Sequence, residues 1–353
     1  MSDFFSLTLS EMQAWFLSAG EPAFRAKQLF DWVYRKSELN LSKMSNISDG
    51  CKQKLSAAFA LPGIGLKRFT WSDDKETVKF LWELSDGRLV ESVLIYSGAR
   101  RTLCVSSQVG CPARCAFCAS GKKGLLRNLS TSEIVEQVAQ VNHWLADKGE
   151  KISHIVFMGM GEPLCNLEAV VKAIRILTDG DSFGLSQRRI TVSTVGIVEG
   201  IYALMQEQFK VSLVLSLHAP NQHVRKKIIP YARKYEIEEI IRAVEEYARV
   251  TKRDPTYEYI LIKDFNDRVE HARELAALLK GKQCSVNLIP YNPVDGLKFE
   301  RPSLTEVNAF RKVLDSANIV NTCRYTKGDD IAAACGQLVM HEENLQNEAT
   351  GSE

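Results

Sequence analysis

No stretch of the 353-residue chain approaches the ~20 consecutive apolar residues that a membrane-spanning helix needs, and Met1-Ser2-Asp3-Phe4-Phe5 lacks the basic segment of an export signal. A cytoplasmic protein with no membrane partner is expected. Surplus charge is equally scarce. Lys and Arg number 45 against 43 Asp and Glu, and the formal charge of +2 is too small for a global field, so any polyanion site must be local. Nine cysteines scattered from Cys51 to Cys335 are too sparse for a disulfide scaffold, and their odd number fits a reducing compartment. Internal repeats and low-complexity runs are missing. What remains is ordinary globular composition, 45% hydrophobic and 25% charged, which excludes a disordered or collagenous chain. The length permits roughly two domains of ~150 residues.

Three regions follow from periodicity. Up to residue 65, Met12, Trp15 and Phe16, then Ala26, Leu29, Phe30 and Val33, recur at helical spacing, and Leu61-Pro62-Gly63 closes this small helical unit, 1–65. Over 66–100 the runs 79–84 and 89–96, joined by Ser85-Asp86-Gly87, predict a β-hairpin connector. Over 101–338 short apolar strands at 101–108, 152–159, 188–195, 211–219, 257–263 and 284–291 alternate with helix-period segments, which is the pattern of βα units. Two of those helices, 130–147 and 304–317, open on capping boxes, Ser130 with Glu133 and Ser303 with Glu306. Six strands are too few for a closed eightfold barrel, so the α/β core is either a partial barrel or an open doubly wound sheet. The polar tail, 339–353, carries no pattern and is expected to be disordered.

The chemistry announces itself just after the first of these strands. Cys111-Pro112-Ala113-Arg114-Cys115-Ala116-Phe117-Cys118 lets a single loop wrap three thiolates around one metal centre. Structural zinc wants four ligands and none completes a knuckle nearby, although a distant fourth ligand would serve. An iron–sulfur cubane held by three cysteines keeps one iron open for another ligand. Other polar groups end other strands: Gly161 and Glu162 after the second, Ser193 in the third, Ser216-Leu217-His218 in the fourth, and Asn292 after the sixth. Alternation puts Thr191 and Ser193 on one strand face, and Val214, Ser216 and His218 on one face of the next. Each of these elements alone reads equally well as ordinary turn or core structure.

The spacing of Cys111, Cys115 and Cys118, with an aromatic residue before the last, resembles the radical S-adenosylmethionine (SAM) superfamily. That resemblance implies a partial (β/α)6 barrel, a [4Fe-4S] cluster on the three cysteines, and SAM bound at its open iron by Gly161, Glu162, Ser193, Ser216, Leu217, His218 and Asn292. Longer matches in 103–111, 157–164, 216–220, 287–290 and 328–338 are similar to the RlmN/Cfr family of RNA adenosine methyltransferases. The family implies two SAM molecules per turnover. One methylates Cys335, and the other supplies an adenosyl radical that takes hydrogen from the thiomethyl group, which then adds to the base. Glu91 is implied as the proton acceptor and Cys104 as the thiol that attacks Cys335 sulfur, leaving a transient Cys104–Cys335 disulfide. C2 of an adenosine in 23S ribosomal RNA and the adenosine 3′ of some tRNA anticodons are the implied substrates, with C8 of the same ribosomal base as the alternative. The resemblance further implies RNA gripping by 1–65, an electron donor such as flavodoxin or ferredoxin, and a thiol reductant. Basic groups at Lys122-Lys123 with Arg127, Arg188-Arg189, Arg225-Lys226-Lys227 and Arg233-Lys234 are then candidates for phosphate contacts. Cys51, Cys165, Cys284 and Cys323 match no functional position and read as buried apolar thiols.

Overall fold

The structure, a computed structural model, describes residues 2–323 and 327–338; the tail expected over 339–353 lies outside them. Three helices, α1 (Leu9–Ser18), α2 (Phe24–Phe30) and α3 (Asp49–Ala58), form the N-terminal unit around Phe4, Phe5, Phe16, Phe30, Tyr34 and Phe59. Thr8 opens α1 with a capping box: Glu11 accepts the Thr8 N–H at 2.7 Å, and Thr8 Oγ1 accepts the Glu11 N–H at 3.3 Å. The unit is stitched to the core by a Tyr34–Phe183 edge-to-face contact at 4.8 Å. Glu136 adds a second link, accepting the Gly63 and Ile64 N–H groups at 2.5 and 3.0 Å.

The described residues build one ten-stranded sheet: β1 (Gly65–Trp71), β2 (Thr77–Glu83), β3 (Leu89–Ser97), β4 (Arg100–Cys104), β5 (His154–Phe157), β6 (Ile190–Thr194), β7 (Ser212–Ser216), β8 (Thr256–Leu261), β9 (Ser285–Pro290) and β10 (Val320–Cys323). Spatial order follows chain order throughout. A doubly wound sheet reverses its order at a switch point, so this monotonic order decides for the singly wound, barrel-type arrangement. From β4 to β10 every pairing is parallel, and from β1 to β4 every pairing is antiparallel. Helices α4 (Thr131–Ala146), α5 (Leu167–Thr178), α6 (Val198–Gln206), α7 (Gln222–Ile228), α8 (Ile237–Thr251), α9 (Val269–Leu279) and α10 (Leu304–Ser316) connect the parallel strands. The capping boxes at Ser130/Glu133 and Ser303/Glu306 open α4 and α10.

Two features correct the expected strands. The expected hairpin forms between β2 and β3, and β1 widens it into a three-stranded wing continuous with the barrel sheet through β3 and β4. Its outer strand β1 is an exposed edge, so it lacks the alternation that marks a half-buried strand. The fourth parallel strand, expected to reach residue 219, stops at Ser216. There the Leu217 N–H turns back to the Leu215 carbonyl at 2.9 Å, and His218 adopts a left-handed φ of +58°.

Candidate active site

Residues directly opposite each other in a sheet lie on the same face. The register runs Lys79, Val93, Cys104, Val156 and Thr191 across β2 to β6, and Ser216, Glu258, Asn287 and Thr322 across β7 to β10. Period-two alternation adds Glu91 beside Val93, and Ser193 beside Thr191. The polar row is hydrogen-bonded: Asn287 Nδ2 donates to Glu258 Oε1 at 3.3 Å, Thr322 Oγ1 to Asn287 Oδ1 at 3.1 Å, and Ser193 and Ser216 hydroxyls meet at 3.2 Å. The opposite face, with Leu103, Ile155, Val192, Leu215, Tyr257 and Leu288, is buried under the helices. The sheet thus has an apolar exterior and a polar lumen, and Glu91, Cys104, Ser193 and Ser216 all belong to the lumen.

At the strand ends a cavity is walled by Cys111, Cys115, Cys118, Gly161, Glu162, Ser193, Ser216, His218 and Cys335, which brings most of the predicted site together. The thiol loop leaves a short ribbon, Gln108–Gly110 paired with Leu125–Asn128, closed by Cys111 N–H to the Gly124 carbonyl at 2.9 Å. Gly110 sits at φ +77°, and a Cβ there would lie 2.0 Å from the Gly124 oxygen, so the turn accepts only glycine. Ala116 N–H donates to Ile228 O and Ala119 N–H to Gly336 O, each at 2.8 Å, which docks the loop between α7 and the segment carrying Cys335.

Burial pushes the Cys111 thiol up to about 12 and drives Cys115 and Cys118 upward as well. Like-charged neighbours add to this at Cys111 and Cys115, and backbone N–H groups oppose it at Cys118. Three enclosed thiols cannot all ionise unless a cationic centre shares their charge. Among the described residues no three His, Cys, Asp or Glu side chains are grouped closely enough for a single metal ion. A cubane tolerates the wider spacing because each thiolate takes its own iron. The donor set therefore fits a three-cysteine [4Fe-4S] cluster, with the cavity wall at Glu162 available to SAM.

Glu162 is enclosed, and its two oxygens accept the Leu164 and Val195 N–H groups at 3.0 and 2.8 Å. Burial raises its pKa to about 7, against the pull of those backbone bonds. The carboxylate is rigidly aimed and gains from any N–H-bearing cation that reaches it. His218 is neutral, since burial, helped by Arg225, lowers its pKa to about 3. Its Nδ1 accepts the Ile260 N–H at 3.1 Å, which leaves the proton on Nε2, and its ring stands edge-on to Phe117 at 4.9 Å. This histidine is hydrogen-bonded into the structure and also lines the cavity.

Four predicted residues stand outside the cavity wall. Leu217 packs in the apolar core and offers only backbone to the cavity, as expected of the face opposite Ser216. Asn292 is buried, and its Nδ2 donates to the Cys335 carbonyl at 3.2 Å while Arg301 donates to its Oδ1 at 2.8 Å, so it braces the thiol segment. Cys104 is buried at the end of β4. Glu91 forms an ion pair with Lys79 at 3.2 Å in which both side chains are almost inaccessible, at 2% and 8%. Lys79 Nζ also reaches the Ala332 carbonyl at 3.3 Å and so links Glu91 to the segment bearing Cys335.

Sequence reasoning missed Lys79, Glu258 and Arg225. Lys79 and Glu258 were legible only through register, which no single strand reveals. Arg225 was read as a phosphate contact, yet it is fully buried on the same α7 face as Ile228, three residues on, so it cannot reach phosphate. Others of that basic set also have partners in the fold. Arg127 pairs with Glu133 and Asp86, Lys226 with Glu236, Lys234 with Glu199, and Lys122 with the Asp295 carbonyl.

Known proteins agree with this geometry. Residues 105–276 match the Radical SAM superfamily pattern, and residues 2–61 match the ribosomal RNA large subunit methyltransferase N-terminal domain. A Protochlamydia amoebophila protein named probable dual-specificity RNA methyltransferase RlmN 2 is 59% identical, covering 98% of this chain and 96% of its own. Its Dictyoglomus thermophilum counterpart, named RlmN, is 46% identical over 96% and 97%. The crystal structure of a radical SAM methyltransferase from Sphaerobacter thermophilus superposes with a TM-score of 0.94 at 41% identity, covering 96% of this chain and 99% of that one. A chain with this thiol loop, this lumen and these relatives is a radical SAM methyltransferase that uses a [4Fe-4S] cluster and SAM, and it belongs to the RlmN family.

Proposed function

We propose that the protein methylates C2 of an adenosine in the peptidyl-transferase region of 23S ribosomal RNA, and the adenosine 3′ of the anticodon in some tRNAs, through a methylated Cys335. Support comes from one arrangement: Glu91 and Cys104 lie on the lumenal face beside the cavity that Cys335 walls. When bound, the cluster and SAM supply an electrophilic methyl group in one use and one-electron cleavage to a 5′-deoxyadenosyl radical in another. The chain's own residues do the rest. Cys335 sulfur loses its proton on taking the methyl carbon, and that methyl group then gives up one hydrogen atom to the adenosyl radical and bonds through its carbon to the base. Glu91 receives the proton released from the adduct, whose odd electron would return to the bound cluster that had given one up. Cys104 sulfur then bonds to Cys335 sulfur as the carbon–sulfur bond breaks, its thiol proton passing to the released carbon to complete the methyl group, and a thiol reductant reopens the disulfide.

A cleft of about 1320 Å3 flanks the Cys335 segment, with Lys122 and Lys123 among its cations and Asp295 and Asp329 among its anions. Its lysines suit a phosphate backbone held beside a base splayed from its stack. The test is an anaerobic assay with methyl-labelled SAM and ribosomal RNA lacking the modification, read by nucleoside mass spectrometry. 2-Methyladenosine is expected from the native enzyme, and none from Cys335→Ala. 8-Methyladenosine would move the assignment to C8, and full turnover by Cys335→Ala would overturn the thiomethyl route.

A further inference from the structure

Arg225 is the most deeply buried cation near the thiol loop, at 0% exposure. Three of its contacts are carbonyl oxygens at the ends of β6 and β7. Nε donates to Leu217 O at 3.1 Å, and Nη2 donates to Val195 O at 2.5 Å and Ser216 O at 3.3 Å. Nη1 is buried with no hydrogen-bond partner among the described residues. A guanidinium enclosed this way is costly unless an anion faces it. None of its hydrogen-bond acceptors is a carboxylate. The Cys115 thiol, which can become an anion, lies within electrostatic range of this guanidinium. The same helix is tied to the thiol loop one residue past Cys115, where Ala116 N–H bonds the Ile228 carbonyl.

We propose that Arg225 is a positioning residue of the iron–sulfur centre: its free Nη1–H donates to Cys115 sulfur and its charge favours the reduced cluster. A hydrogen bond to a ligating thiolate and a nearby positive charge both stabilise the more negative oxidation state, so they raise the reduction potential. The remaining N–H groups fix the strand ends that carry Ser216 and Val195. One side chain thereby sets both the electronics of the cluster and the seat of its cofactor.

The decisive experiment uses the full-length protein, reconstituted anaerobically after growth on arginine labelled with 15N only in the guanidino group. After reduction, pulsed EPR should detect a 15N coupling to the cluster that disappears in equally labelled Arg225→Lys. Absence of the coupling, or its persistence in Arg225→Lys, which would assign it to another arginine such as Arg114, overturns the proposal. In parallel, an EPR-monitored redox titration of Arg225→Met at full iron content should give a more negative midpoint potential than wild type, with Arg225→Lys closer to wild type. An unchanged Arg225→Met potential counts against the proposal. If Arg225→Met fails to retain iron, the labelled wild-type spectrum alone decides.

Discussion

The parallel half of the sheet and its antiparallel wing share one ladder of hydrogen bonds but handle buried charge in opposite ways. In the parallel half, Glu162 is met by backbone N–H groups and held near neutrality by burial. The thiols there are likewise pushed toward the neutral form. That half awaits charge from a ligand. The wing brings its own counterion, for Glu91 is paired with Lys79 at 3.2 Å. The difference teaches that the thiol-lined cavity and the buried ion pair are built separately, on strands that differ in direction as well as in charge balance.

Separability is the first thing to break. Cys118→Ala should lose the iron chromophore and all SAM cleavage, whereas Glu91→Gln should keep iron and 5′-deoxyadenosine formation and lose only methylated RNA. If Glu91→Gln also strips the iron, the two halves are not independent.

A second experiment sharpens the wing side of the contrast. Removing one partner of a buried ion pair leaves the other desolvated, so Lys79→Met should cost about 3 kcal/mol in urea denaturation, and adding Glu91→Gln should recover part of that loss. A strictly additive double variant would mean that the pair is not coupled.

The smallest expected effect lies where the N-terminal unit meets α4. Burial holds Glu136 up at about 8, against 4.5 for a free carboxyl, although the Ile64 and Gly63 N–H groups pull it down. The folded chain therefore keeps a proton that the unfolded chain releases. This contribution is full below pH 4.5 and is lost as pH rises toward 8. The wild-type melting temperature should fall more than that of Glu136→Gln between those limits, and parallel curves would contradict the assignment.

Much of the site was legible because its elements punctuate successive strand ends. The thiol loop, Gly161-Glu162 and the Ser216-Leu217-His218 turn each carry local chemistry, and a singly wound sheet gathers strand ends on one side. The sequence could not show which polar residues face each other across strands, because register between segments as distant as β2 and β4 is fixed by pairing rather than by composition. For the same reason Lys79 looked like one more alternating strand residue and Arg225 like one of three surface cations. β10 was missed because Val320–Cys323 is short and has no apolar run, and β1 because an exposed edge needs no alternation.

The segment bearing Cys335 is pinned on both sides. Its Ala332 carbonyl is held by Lys79, Gly336 is bonded to Ala119, and the Leu338 carbonyl takes the Ser120 hydroxyl at 2.7 Å. Only about two residues separate the upstream clamp from the thiol, a tether of roughly 7–10 Å at full stretch. Large excursions of Cys335 thus require the Ala119–Ser120 anchor to let go, and that anchor directly follows Cys118. Oxygen damage that unseats the iron would slacken this leash as well, so a single lesion would cost the enzyme both its electron port and its grip on the Cys335 thiol.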